Sequence, residues 1–411
     1  MPEHRVAITG IGVVTPLGIG KDAFWRGVCE RRVAVAPITR FDAAAFPARL
    51  AAQIDDFDPN DFLARRRVVW TDRFSQFGIA AARLAVEDAA FSTQGRGDEI
   101  GVYTGSALGG LAFAEEQMGV FAERGLGAVR PLLTISVFGG AVTSNIALEF
   151  DCTGASISNA NSCASGAVAI GEAFRAIARG DLRAALAGGI EAPLAPLTYG
   201  AFAVVRAMST RNDDAPTASR PFDRDRDGFV MAEGAGILVL ERYDDAVRRG
   251  ANVYAEIVGY GITNDAHHMS APRPDGSQTA SAMQRALDEA RLDADAVDTI
   301  NAHGSSTKVG DRAEALAYER VFGERARSIP VSATKGQHGH ALGATGAWEI
   351  GLSALSMQHS RIPGTVNLYE RDVLCALGVS PQDVLVRPRI TMANSSGFGG
   401  INAAVVLAAP D

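Results

Sequence analysis

Cysteine is scarce in this chain: Cys29, Cys152, Cys163 and Cys375 are four among 411 residues, and no two form a CxxC pair. Scattered cysteines exclude a zinc ribbon and speak against a disulfide framework. Long apolar runs are missing as well. None reaches the roughly 18 residues of a membrane span, and no basic segment leads into a short apolar signal core. The reading is a cytoplasmic, reduced protein that does not engage a membrane. Positive charge is not in excess, since 39 Lys and Arg face 47 Asp and Glu for a formal net charge of -8. That balance argues against a general nucleic-acid binder, which carries a basic face. No linker rich in Pro, Gly or Ser divides the chain, although its length exceeds one ordinary domain.

What the chain does contain is alternation. The runs RVAITGIGVV, IGVYTGS, SISNA, AALAGG, VYAEIVGYG, VDTINA, IPVSA and RITMANS read as strands. Amphipathic stretches such as DRFSQFGIAAARLAVEDAA and SQTASAMQRALDEARL read as helices between them. Strands alternating with helices predict α/β architecture. With 47% hydrophobic residues and 44 glycines, the composition is that of a globular protein with tight helix–sheet packing. Residues 164–171 read ASGAVAIG and residues 344–351 read ATGAWEIG, identical at five of eight positions. Either Ala/Gly-rich helices coincide by chance, or an α/β unit is duplicated and its copies face one site. On the second reading the halves are 1–251 and 252–411.

Two motifs imitate ligand loops. GIGVVTPLG places Gly10 and Gly12 as in a dinucleotide fingerprint, but Thr15 stands where the third glycine belongs. DRDRDG at 223–228 imitates a calcium loop, yet Gly234 occupies the place of its bidentate acid and Arg224 and Arg226 separate the carboxylates. An internally paired or solvated loop is the better reading.

The reactive residues lie where predicted strands give way to loops. Cys163 follows SISNANS, His303 follows VDTINA, Lys335 and His340 follow IPVSA, and Phe398 sits in NSSGFGG after RITMA. In α/β sheets ligands bind at the carboxyl ends of strands, so these segments are expected to converge. Cys163, at the start of a helix, is either a small buried side chain or a thiolate favoured by the helix dipole by up to about 2 kcal/mol. Two neutral imidazoles can each donate to an oxygen that is becoming an enolate. Lys335 is placed to hold His340 neutral and oriented, with Glu349 as the partner of the lysine.

Taken in order, VAITGIGVVTPLG, SCASGA, RAMSTRND, SRPFD, RDGFVMAEGAG, NAHGSSTKVGD, GHALGATGA and NSSGFGG resemble the β-ketoacyl-acyl-carrier-protein synthases of the type II elongation class, thiolase-superfamily condensing enzymes. The resemblance runs essentially end to end. It implies a duplicated thiolase-like five-layer αβαβα fold, a homodimer or a heterodimer with a related ketosynthase-like subunit, and an acyl carrier protein as partner. It implies no metal and no cofactor beyond the phosphopantetheine that arrives on the carrier. Cys163 resembles the acyl-accepting nucleophile, His303 and His340 the pair that drives malonyl decarboxylation, and Lys335 and Glu349 their buried support. Phe398 resembles the gate whose backbone N–H joins that of Cys163 in an oxyanion hole. Ser270, Ser305 and Thr307 resemble phosphopantetheine contacts, Leu108 and Phe202 the acyl-pocket lining, and Arg206 the carrier-docking patch. Arg65 to Arg67 fit that patch or an ordinary solvated helix face. Asn161, Ser162, an added His338, Ser396 and Ile401 depart from the family pattern around the gate and acyl cavity, which tilts the expected acyl substrate toward a specialised polyketide or polyene chain. A catalytically silent chain-length-factor-like subunit is the alternative, and Cys163 argues against it.

Overall fold

The computed structural model describes residues 4–411. Its frame is a mixed sheet built from two copies of one strand pattern. The first half supplies β1 (Val6–Thr15), β2 (Ile100–Gly105), β3 (Ser156–Asn159), β4 (Ala184–Glu191) and β5 (Gly234–Arg242). The second supplies β6 (Ala255–Asn264), β7 (Thr299–Asn301), β8 (Val331–Ser332), β9 (Ile390–Gly397) and β10 (Ile401–Ala408). The spatial order is β8-β7-β9-β10-β6-β1-β5-β4-β2-β3. Within each half the strands therefore lie third, second, fourth, fifth, first. Directions repeat too: β2 is parallel to β3 and β4, β7 is parallel to β8 and β9, and the last two contacts of each half are antiparallel. The halves meet where β1 pairs with β6 over Val6–Ile8.

All eight expected strands are present. The expectation passed over β5, which begins inside the glycine-rich segment MAEGAG, and β10, which follows NSSGFGG; both read as a continuation of those segments. Both alternate between two cores, as period-two geometry requires. Leu238 and Leu240 face the central core and Ile237 and Val239 the outer one; in β10, Val405 and Leu407 face the centre and Val406 faces out.

Three cores define five layers. Outer helix α1 (Arg73–Asp88) covers the first half-sheet, and α3 (Ser277–Ala290) and α4 (Lys308–Phe322) cover the second. Between the half-sheets lie α2 (Ser165–Ala178) and α5 (Thr345–His359), the two helices of the repeated sequence, buried along almost their whole length. Trp348 is wholly buried in this middle layer and its Nε1–H donates to the Ala235 carbonyl at 2.8 Å. The side chain of Asp72 caps α1 by accepting from the Ser75 N–H.

Both imitation motifs acquire structural explanations. A Cβ on Gly10 or Gly12 would lie 2.2 Å from the Ala85 carbonyl oxygen or 1.9 Å from that of Ala81, so these glycines let α1 settle on β1. In DRDRDG, Asp223 accepts the Asp225, Tyr369 and Glu370 N–H groups, and Asp227 accepts from Ser209 and Thr210. Arg226, 1% exposed, pairs with Asp311 and Asp372. The loop is internally paired.

Candidate active site

The turn that presents Cys163 is organised by the residue ending β3. The Asn159 amide donates to the carbonyls of Thr104 and Ser165, and its Oδ1 accepts from the Asn161 N–H. Ser162 then adopts φ 53°, a left-handed conformation uncommon for a residue with a Cβ. The Ser165 hydroxyl closes the turn by donating to the Ser162 carbonyl at 2.7 Å. Cys163 lands in the short turn Ser162–Ala164 that leads into α2.

Cys163, His303, His340 and Phe398 line one cavity of about 460 Å³, with Ser270, Ser305, Thr307, Phe202, Arg206 and Ser396 on the same surface. Leu108 is not part of that surface. It packs on the apolar cluster that holds Cys163, Tyr199 and Leu342. Phe398 stacks on Phe202 with centroids 6.0 Å apart. Lys335 and Glu349, each 1% exposed, sit behind the histidines rather than on the cavity wall.

The two imidazoles stand edge to face, with centroids 5.3 Å apart. Burial first, and then the Lys335 ammonium, hold both well below the ordinary histidine value, so both rings are neutral. His340 Nδ1 lies 3.1 Å from the Thr345 hydroxyl, the first residue of α5. With that hydroxyl donating, Nδ1 carries no proton and Nε2–H is left as a donor. Lys335 donates to the His303 carbonyl and pairs with Glu349, whose carboxyl is pushed up to about 7 by burial. The lysine therefore fixes the His303 backbone, whereas the sequence placed it beside His340; its charge acts on both rings.

Glu314 escaped the sequence reading. It accepts the N–H groups of His303 (2.7 Å) and Gly304 (2.8 Å), the Tyr318 hydroxyl (2.6 Å) and the Asn394 amide (2.8 Å). Its only signal was its position eleven residues after His303, on the α4 turn facing back toward the loop. Thr345 was equally silent, since its value lies in one hydroxyl direction.

Three expectations are corrected. The Cys163 thiol is pushed up to about 11 by burial, against the Ser162 hydroxyl, the Lys335 charge and the Phe398 N–H, all of which favour the thiolate. Desolvation by the surrounding protein outweighs those contacts, so the resting form is the thiol. His338 does not adjoin the cavity. It packs between Phe24 and Trp348, with Nδ1 bonded to the Gly339 carbonyl and Nε2 accepting from the Thr334 hydroxyl. In the arginine run, Arg67 is turned inward to Asn145 and Glu149, while Arg65 and Arg66 are exposed.

Chemically, the cavity offers a protonated thiol, two neutral N–H donors and a backbone N–H at Phe398, with hydroxyls on the same lining. Residues 3–246 match the family model for the N-terminal domain of beta-ketoacyl synthase, and residues 254–369 match that for its C-terminal domain. A 3-oxoacyl-[acyl-carrier-protein] synthase 2 from Synechocystis is 39% identical over 404 residues, covering 98% of this chain and 97% of the relative. A chain of the solved complex of a type II PKS acyl-carrier protein with its ketosynthase bound to the hexaketide superposes with a TM-score of 0.92, at 32% identity and full coverage of both chains. A chain of the ishigamide ketosynthase/chain length factor gives 0.91 at 32% identity, covering 99% of this chain and 100% of that one.

Proposed function

The chain belongs to the β-ketoacyl synthase family and elongates a fatty acyl or polyketide chain as a β-ketoacyl-acyl-carrier-protein synthase; we propose that Cys163, His303 and His340 carry out that condensation. The observation that carries this assignment is the convergence of the three side chains, from segments that follow three strands in both halves, on one cavity.

In the first stage Cys163 Sγ attacks the thioester carbonyl of the incoming acyl carrier. Its proton leaves as the C–S bond to phosphopantetheine breaks, and the carrier departs as a free thiol. The N–H groups of Cys163 and Phe398 hold the transient oxyanion. In the second stage malonyl carrier loses CO₂, and the electron pair of the broken C–C bond passes into a thioester enolate. Nε2–H of His340 and an N–H of His303 bond the enolate oxygen. The enolate carbon then attacks the acyl group on Cys163, and the thiolate leaves and takes up a proton from water to restore the resting thiol. Neutral imidazoles suit this role because a dry site makes each N–H donor worth about 3–4 kcal/mol to a developing oxyanion. The phosphopantetheine arm arrives on the carrier, and Ser270, Ser305 and Thr307 are its contacts. Detection of an acyl adduct on Cys163 by intact-protein mass spectrometry, followed by its conversion to β-ketoacyl carrier when malonyl carrier is added, tests the whole sequence.

Two smaller predictions belong here. Thr345→Val removes the hydroxyl that directs His340 Nδ1, and malonyl decarboxylation should slow about tenfold while acylation of Cys163 is kept. Arg206 is exposed on the cavity lining. Arg206→Glu should raise KM for acyl carrier about tenfold and leave KM for a small acyl thioester unchanged, since charge reversal acts on the acidic protein and not on the arm.

The free edge of the sheet supports dimerisation. Strand β3 is exposed, as are Ile157 on it, Leu148 on the helix packed against it, and Phe138, Ile135 and Phe121 on the segments that pack in turn beyond that helix. An exposed edge with such a face is covered in the working protein, here by a second copy or a related ketosynthase-like subunit. The silent-partner reading fails on the intact cysteine and histidine pair. A reducing cytoplasm suits the nucleophilic thiol, and we divide the chain into functional halves at 1–251 and 252–411.

A further inference from the structure

The duplication leaves a second copy of the nucleophile's turn in the molecule, and its space is filled. The turn Leu342–Ala344 before α5 repeats the turn Ser162–Ala164 before α2, with Leu342 at φ 41° where Ser162 has 53°. Gly343 thus corresponds to Cys163. The strands keep the same register. A Cβ on Gly166 of α2 would press on Gly189 of β4 at 3.3 Å, and one on its counterpart Gly346 would press on Ser395 of β9 at 3.1 Å. Gly189 therefore corresponds to Ser395, and two residues on, Glu191 corresponds to Gly397. At the working centre Gly397 leaves room beside the Cys163 N–H, which a Cβ there would approach to 3.0 Å. At the other centre the equivalent room holds the Glu191 carboxylate, whose Oε2 accepts the Gly343 N–H at 3.0 Å. The carboxylate occupies the silent copy much as a substrate oxyanion would occupy the working one.

Glu191 is wholly buried, and its partners are all neutral donors. Oε1 accepts the Ser106 hydroxyl (2.9 Å) and the Leu108 N–H (3.1 Å); Oε2 accepts the Ala107 N–H (2.7 Å) as well as that of Gly343. Its four bonds therefore tie together two segments from different halves. One is the loop bearing Leu108, which packs on the cluster around Cys163; the other begins two residues after His340. We propose that Glu191 is a positioning residue that plugs the silent centre and staples the Leu108 wall to the histidine turn, and so limits the length of acyl chain that Cys163 accepts. The proposal rests on the reading of Leu108 as an acyl-pocket wall.

A carboxylate is acceptor-only, so Glu191→Gln sets an NH₂ against at least one N–H or hydroxyl donor and releases part of the staple. The test compares loading of Cys163 from hexanoyl- and dodecanoyl-carrier protein by intact mass. Glu191→Gln should raise the dodecanoyl-to-hexanoyl rate ratio about tenfold, the effect of one lost buried hydrogen bond. Ser106→Ala, which removes one donor to the carboxylate together with the acceptor of the Leu108 and Gly109 N–H groups, should move the ratio in the same direction, and serves if Glu191→Gln does not fold. A general weakening of the fold would lower both rates together and leave the ratio unchanged, which would overturn the proposal. Leu108→Ala separates the two ideas. If it moves the ratio and neither Glu191→Gln nor Ser106→Ala does, the staple is wrong and the pocket reading stands. If Leu108→Ala does not move it, the pocket reading fails and the proposal falls with it.

Discussion

Cys163→Ala will take up no acyl group and will lose condensation by more than about 10³-fold, the scale seen when a nucleophile is removed from a catalytic set. The same variant should still release CO₂ from malonyl carrier, because His303 and His340 do not depend on the thiol for position. His303 is held by Lys335 at its carbonyl and by Glu314 at its N–H; His340 is held by Thr345. The paired outcome is what identifies the cysteine as the acyl carrier of the first stage. Condensation surviving in Cys163→Ala would remove it from that role. The smaller change Cys163→Ser keeps the shape of the turn but offers a poorer nucleophile and leaving group, and should be nearly as inactive. Because the resting thiol sits near 11, acylation should gain with rising pH up to that value; a plateau reached near pH 7 would indicate a thiolate already formed.

His340→Ala is expected to divide the two stages the other way. Removing one N–H donor to a developing oxyanion costs about 10²- to 10³-fold. That loss should fall on malonyl decarboxylation, measured as CO₂ release, while acylation of Cys163 stays within about tenfold of the native rate. His303→Ala should lose decarboxylation to a similar degree, and the double variant should lose little more than either single one, since the pair acts on one oxygen. Both rings are held far below the ordinary histidine value by burial and by Lys335. Their N–H donors are therefore neutral on both sides of about pH 6.5, and decarboxylation should not show a step there. Normal CO₂ release by His340→Ala, or a clear titration near that pH, would refute the assignment.

Much of this centre was legible along the chain because the chemistry falls at strand ends. Cys163, His303, Lys335, His340 and Phe398 each follow a run of β-forming residues, and that rule needs no knowledge of contacts. The repeat ASGAVAIG/ATGAWEIG was legible for a similar reason: helices buried on every side tolerate only small or apolar residues, so two copies stay recognisable. What stayed hidden were groups whose worth is a direction or a partner. Glu314 and Glu191 read as ordinary acids, yet each is a buried acceptor for four donors, all of them from other segments except the Tyr318 hydroxyl on the helix of Glu314 itself. His338 misled for the opposite reason. Two residues from His340 in sequence, it points into the packing of Phe24 and Trp348, because Gly339 at φ 69° turns the chain between them.

The sequence by itself determined the α/β class, the family and the reaction, and it named the candidate side chains, since these depend on residue type and order. Only the tertiary structure decided that Cys163 rests as a thiol, that Lys335 serves the His303 carbonyl, that Leu108 lies off the cavity surface, and that Glu191 fills the second centre of the duplication. Protonation, orientation and occupancy are set by desolvation and by donors arriving from the other half of the chain, and neither quantity exists until the halves have packed together.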